Sequence, residues 1–143
     1  MKNIKQIAKK VNWVQIKTGE DLLESITQFC QENNIQAGIV LAIGALQKAK
    51  FGYYDQKEKI YLENSIEEPV EIVSCLGNIS LKEGKPFVHA HISLADKEGK
   101  VFGGHLNPGC TVFACECSII ELEGKNLERK FEQITGLSLW DFS

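Results

Sequence analysis

Apolar positions change their rhythm along the chain. From Val11 to Ile16 they alternate with polar ones, the two-residue period of a half-buried strand. Leu22, Leu23, Ile26, Phe29 and Cys30 then recur at helical spacing, which predicts an amphipathic helix over roughly Glu20 to Glu32. Thr18 stands three residues before Asp21, a weak form of the capping box, and Asn33-Asn34 is a suitable stop. Beyond the helix the pattern turns to β. Ala37 to Ile43 is a short apolar run suited to a strand buried on both faces, and Gly44 interrupts it. Leu46–Tyr54, Lys59–Asn64, Val70–Ser80, Phe87–Leu94, Lys100–Leu106 and Thr111–Leu122 follow as candidate strands. Between them stand the turn residues Gly84, Pro86, Gly99, Pro108 and Gly109. Leu137, Leu139, Trp140 and Phe142 are too many large apolar groups to leave in water, so the tail is expected to dock as a short strand or cap. One helix with about seven strands, mostly joined by short loops, predicts an α+β domain on an antiparallel sheet.

Composition narrows the function classes. The 143 residues suit a single domain spanning 1–143, and 43% hydrophobic with 24% charged residues is a globular balance. The net charge of -3 lacks the basic excess of a typical nucleic-acid binder. Lys2, Lys5, Lys9, Lys10 and Lys17 make the one basic segment, and Arg129 is the only arginine. No apolar run is long enough to cross a bilayer, and Met1 to Lys5 has no secretion-signal character, so a cytoplasmic location is expected. Five cysteines (Cys30, Cys75, Cys110, Cys115 and Cys117) in irregular spacing do not form a disulfide framework. They read as small buried residues; Cys115 and Cys117 share a strand face but lack further cysteine ligands close by.

The strongest chemical signal is the histidines. All three, His89, His91 and His105, fall within seventeen consecutive residues. On a strand, His89 and His91 point to the same face. Asp96-Lys97-Glu98-Gly99 fits a type I turn closing a three-residue loop with a bulge at the glycine. That loop opposes Asp96 to Lys100, and the same register opposes His91 to His105, with His89 diagonal to it. Opposed side chains have Cβ atoms about 5 Å apart, so three imidazoles can converge on one metal ion. Zinc takes such ligands and leaves a fourth position open; other divalent transition metals accept them too. Gly103 and Gly104 remove bulk beside His105, letting a cofactor, a ligand or another backbone approach. Glu116, on an otherwise apolar strand, is a candidate general base for a metal-bound water, or else a salt-bridge or subunit-contact residue.

The block from His89 through Gly103-Gly104-His105-Leu106, followed by Pro108-Gly109-Cys110 and a Val112–Ile120 strand carrying Glu116, resembles the PPC (plant- and prokaryote-conserved) domain. Gly19-Glu20-Asp21-Leu22, Ile43-Gly44-Ala45-Leu46 and Glu71 to Ile79 match its other blocks. The resemblance implies a compact α+β domain assembled as a homotrimer, with His89, His91 and His105 as a zinc site, and an association with DNA or a regulatory role. Plant members join the domain to an AT-hook; its Arg-Gly-Arg-Pro element is not found here. The alternative activity is a zinc-dependent enzyme using the open water position on a small polar substrate.

Overall fold

The computed structural model describes residues Met1–Ser143. Along the chain run β1 (Gln6–Ile16), α1 (Leu22–Glu32), β2 (Gly38–Asp55), β3 (Ile60–Ile66), β4 (Val70–Lys82), β5 (Lys85–Ala95), β6 (Val101–Leu106), β7 (Thr111–Gly124), β8 (Glu128–Glu132) and β9 (Leu137–Asp141). The expected α+β class is observed, and the nine strands form one sheet, antiparallel except for a single parallel contact of Leu81 with Glu128. No helix is long and apolar enough to cross a membrane.

Three local expectations are corrected. Val11–Ile16 is only the second half of β1, whose first half is held by pairing with β7 from Gln6 onward rather than by any apolar rhythm. The helix is capped by Asp21, whose carboxylate accepts from the Glu24 amide at 2.9 Å, while the Thr18 hydroxyl donates to the Phe113 carbonyl at 2.7 Å. Gly44 does not end a strand. β2 continues through it by a bulge at φ +145°, and a Cβ there would lie 2.1 Å from the Ala114 carbonyl oxygen. A side chain would not fit, so glycine keeps the strand continuous.

That bend lets β2 serve different neighbours at its two ends. Gly38 to Leu46 lies between β4 and β7, whereas Phe51 and Gly52 pair with β6. Because β4 pairs with β5 and β5 with β6, strands β2, β4, β5 and β6 close into a circuit. β7 and β1 extend it on one side, and the tail adds the β8–β9 hairpin beside β4. Leu22, Ile26 and Cys30 of α1 join the core with Val40, Leu46, Leu94, Leu106 and Ile119. Each fully buried Leu or Ile contributes about 1.5–3 kcal/mol. The five cysteines are free and buried, Cys75 and Cys117 opposing Ala42 from either side.

One row of paired positions crosses the outward face: Trp13, Ser118, Leu41, Leu76, His91 and His105. Opposed residues share a face, so the histidines continue a surface that begins with exposed apolar groups. Trp13 is 83% and Leu76 57% exposed.

Candidate metal centre

Strand alternation sets the first two histidines. Val88, Ala90 and Ile92 are buried, so His89 and His91 of β5 face outward. The Asp96 carboxylate accepts from the amides of Glu98 (3.0 Å) and Lys100 (2.8 Å), and Gly99, at φ +79°, donates to the Asp96 carbonyl at 2.9 Å. This bulged turn gives the anticipated register: Ala95 opposes Val101 and His91 opposes His105. A Cβ on Gly103 would lie 1.9 Å from the Ile92 carbonyl oxygen, and one on Gly104 2.4 Å from that of Gly52. Both glycines therefore admit neighbouring backbone, from β5 and from β2.

The three rings form a nearly equilateral triangle. Their centroids lie 5.3 Å apart for His89 and His91, 5.0 Å for His89 and His105, and 5.4 Å for His91 and His105. Ligand atoms from all three lie within 4.8 Å of one another. His105 Nδ1 is buried and has no hydrogen-bond partner, the condition of a nitrogen whose lone pair or proton awaits a partner. Burial, helped by Arg129, pushes His89 down to about 4. Burial also lowers His105, with smaller contributions from His91 and Arg129. Both are then neutral at pH 7, the form that donates a lone pair to a cation. Orphaned nitrogen, neutral rings and spacing all fit a transition-metal ion.

Two flanking residues were not assigned to the site from the sequence. The Tyr61 ring, from β3, lies 4.9 Å from that of His105. Arg129, from β8, donates to Ser80 Oγ and Asn78 Oδ1 at 2.8 Å each and to the Ser138 carbonyl at 3.1 Å, and stands 3.4 Å from His89 Nδ1. Its being the only arginine was the one available signal. The β8–β9 hairpin covers this side, leaving a cavity of about 260 Å³ lined by His89, His105, Tyr61, Phe87 and Arg129 among others. Glu116 does not join the histidines within the chain. It opposes Gln15 and Ile43, three strands from β5, roughly 14 Å at normal strand spacing.

The family pattern described as the Plants and Prokaryotes Conserved (PCC) domain matches residues 5–123. Several solved structures share the fold. A metal-containing protein from Archaeoglobus fulgidus is 42% identical with a TM-score of 0.93, covering 98% of this chain and 99% of its own. A plant- and prokaryote-conserved (PPC) protein from Pyrococcus horikoshii is 39% identical with a TM-score of 0.93, covering 99% and 97%. A protein from Bacteroides thetaiotaomicron, provisionally designated DNA-binding, is 25% identical with a TM-score of 0.87, covering 96% and 97%. Among curated proteins, the bifunctional protein GlmU of Synechococcus sp. (strain JA-3-3Ab) is 35% identical over 101 residues, 70% of this chain. The match spans only 15% of that relative's length.

Proposed function

Since the chain belongs to the Plants and Prokaryotes Conserved (PCC) domain family, we propose that it is a metal-binding member that holds zinc through His89, His91 and His105 and works as a homotrimer. The observation that carries the metal reading is the convergence of three imidazoles within 4.8 Å around a buried, partnerless His105 Nδ1. The metal-containing relative from Archaeoglobus fulgidus supports it. Zinc bound by three protein ligands supplies Lewis acidity and an open fourth position for water or ligand. The chain's own residues do the holding. The Asp96–Gly99 turn sets the β5–β6 register, Gly103 lets those strands close up, and Tyr61 and Arg129 confine the rings from the sides.

The number three comes from the family resemblance; that the chain assembles at all is supported by the outward apolar face, where Trp13, Leu41, Ile43, Leu76 and Phe113 are all exposed. A patch of this kind is costly in water and marks a contact surface. Glu116 lies within that face, which favours its reading as a subunit contact over that of a general base.

DNA association, to which the family resemblance and the DNA-binding designation of the Bacteroides relative point, would rely on phosphate contacts from the amino-terminal lysines, since Arg129 is only 8% exposed. It predicts duplex binding that falls steeply with salt; no gel shift at about 50 mM salt with micromolar protein removes it. The cavity beside the histidines favours a second reading, a zinc-dependent enzyme acting on a small polar substrate.

Elemental analysis of purified protein together with its native mass tests the main reading. We expect one zinc per chain, a mass three times the 16.0 kDa of the chain, and loss of zinc in His91→Ala with the circular dichroism unchanged. A protein that takes up no zinc, or a His91→Ala variant that keeps all of it, refutes the site.

A further inference from the structure

The cavity beside the histidines holds a positive charge with no counter-charge. Arg129 is the one buried charged residue, and none of the four ion pairs in the structure includes it. Its bonded partners are a hydroxyl, an amide oxygen and a carbonyl, all neutral. Its guanidinium also lies against the rings of Phe87, at 5.4 Å, and Trp140, at 5.7 Å. Removing a charge from water without pairing it is unfavourable, and neutral acceptors offset that only in part. A guanidinium has five N–H donors, of which three are well placed here. The fourth contact, to His89 Nδ1, is long at 3.4 Å.

A divalent cation on three neutral imidazoles would deepen the imbalance, because those ligands bring no negative charge. It would also disturb the Arg129 contact. A neutral histidine has a single ring proton; with Nε2 ligating, that proton sits on Nδ1 and faces another donor. Both N–H groups would then want the same thing, an oxygen anion. The cavity of about 260 Å³ has room for one and for a small body, since Tyr61, Phe87, Leu137 and Leu139 line it as well.

We propose that this cavity binds a small organic oxyanion, a carboxylate or a phosphate monoester, with its anionic group on Arg129 beside His89 and His105 and its compact body against Tyr61 and Phe87. The full strength of the attraction rests on the zinc reading above; the uncompensated guanidinium attracts an anion without it. The ligand chemistry is that of an oxyanion on a forked, bidentate-capable donor.

Benzoate and phenyl phosphate, titrated separately by calorimetry into the full chain, test this and distinguish the two headgroups. Both zinc-loaded and chelated protein are used. We expect saturable binding of at least one probe, one per chain and tighter with zinc present. Arg129→Gln should weaken it at least about tenfold at unchanged zinc content, and Arg129→Lys, which keeps the charge but not the fork, should fall between. Because Arg129 is the only arginine, its side-chain Nε–H gives a unique ¹⁵N NMR signal, which should shift as the probe saturates even if a variant fails to fold. Zinc-loaded protein that binds neither probe at millimolar concentration, with that signal unmoved, overturns the anion site and leaves the metal site standing. Protein that takes up no zinc yet binds a probe with the Arg129 signal shifting does the reverse.

Discussion

Replacing Gly103 by alanine asks what the glycine pair next to His105 is for. The added Cβ would meet the Ile92 carbonyl oxygen at 1.9 Å, whereas real Cβ contacts are essentially never under 3.0 Å. β5 and β6 must then part by about 1.1 Å, the difference between those two distances. Ladder bonds of about 2.9 Å stretch to about 4 Å and are lost. The pairing runs only from His91–His105 to Ala95–Val101. Losing two bonds costs about 2 kcal/mol and overpacking adds about 1–3 kcal/mol, so about 3–5 kcal/mol in all. For a domain of this size that lowers the melting temperature by about 10–20 °C. Gly84→Ala is the control: φ is +73° but nothing lies within 4 Å, so only about 1 kcal/mol of backbone strain is expected. Thermal melts of the two variants, with zinc content measured alongside, decide it. A Gly103→Ala protein that melts within about 3 °C of the parent and takes up as much zinc as the parent does would show that the backbone contact is unimportant and return the glycine to a ligand-approach role.

Further outcomes follow from the same contacts. Cys30, Cys75 and Cys117 are pushed up to about 12 by burial, so the native protein should be inert to Ellman's reagent at pH 8 while all five thiols react in guanidinium; one fast thiol in the folded protein contradicts this. The Asp21 carboxylate caps α1 at the Glu24 amide and also accepts from the Gly109 amide at 2.6 Å, so Asp21→Ala should cost about 1–3 kcal/mol and lower the melting temperature by several degrees. His89 falls to about 4 in the folded chain from an ordinary value of 6.5, chiefly through burial. The unfolded chain therefore binds the extra proton first, and this contribution to stability, present above pH 6.5, is lost as pH falls toward 4. Denaturant midpoints of the metal-free protein should show that loss and His89→Gln should lack it; identical pH profiles would refute the assignment.

Much of the site was legible because strand geometry is local. A His-x-His pair on an alternating strand shares a face, and the Asp96-to-Gly99 turn chemistry selects one loop length and hence one register. Those two facts oppose His91 to His105 with no knowledge of the rest of the fold. The helix was equally legible from its apolar period. Its cap was not: Thr18 and Asp21 are both suitable residue types, and the choice was made by β7, which takes the Thr18 hydroxyl at Phe113 and leaves Asp21 to the helix.

Long-range pairing decided the remainder. Gly44 looked like a strand end because a glycine in an apolar run has no preferred role; sandwiched between β4 and β7 it became a bulge in one strand of 18 residues. Glu116 and the histidines carry suitable chemistry, but which strands lie between β7 and β5 is a matter of topology, and topology separates them. Arg129 and Tyr61 reach the histidines from forty and twenty-eight residues away from His89, brought there by the closing of the sheet and the folding back of its final hairpin. Periodicity and turn residues act over a few positions and leave their mark in the chain; contacts between distant segments depend on how the whole core packs, which no short stretch records.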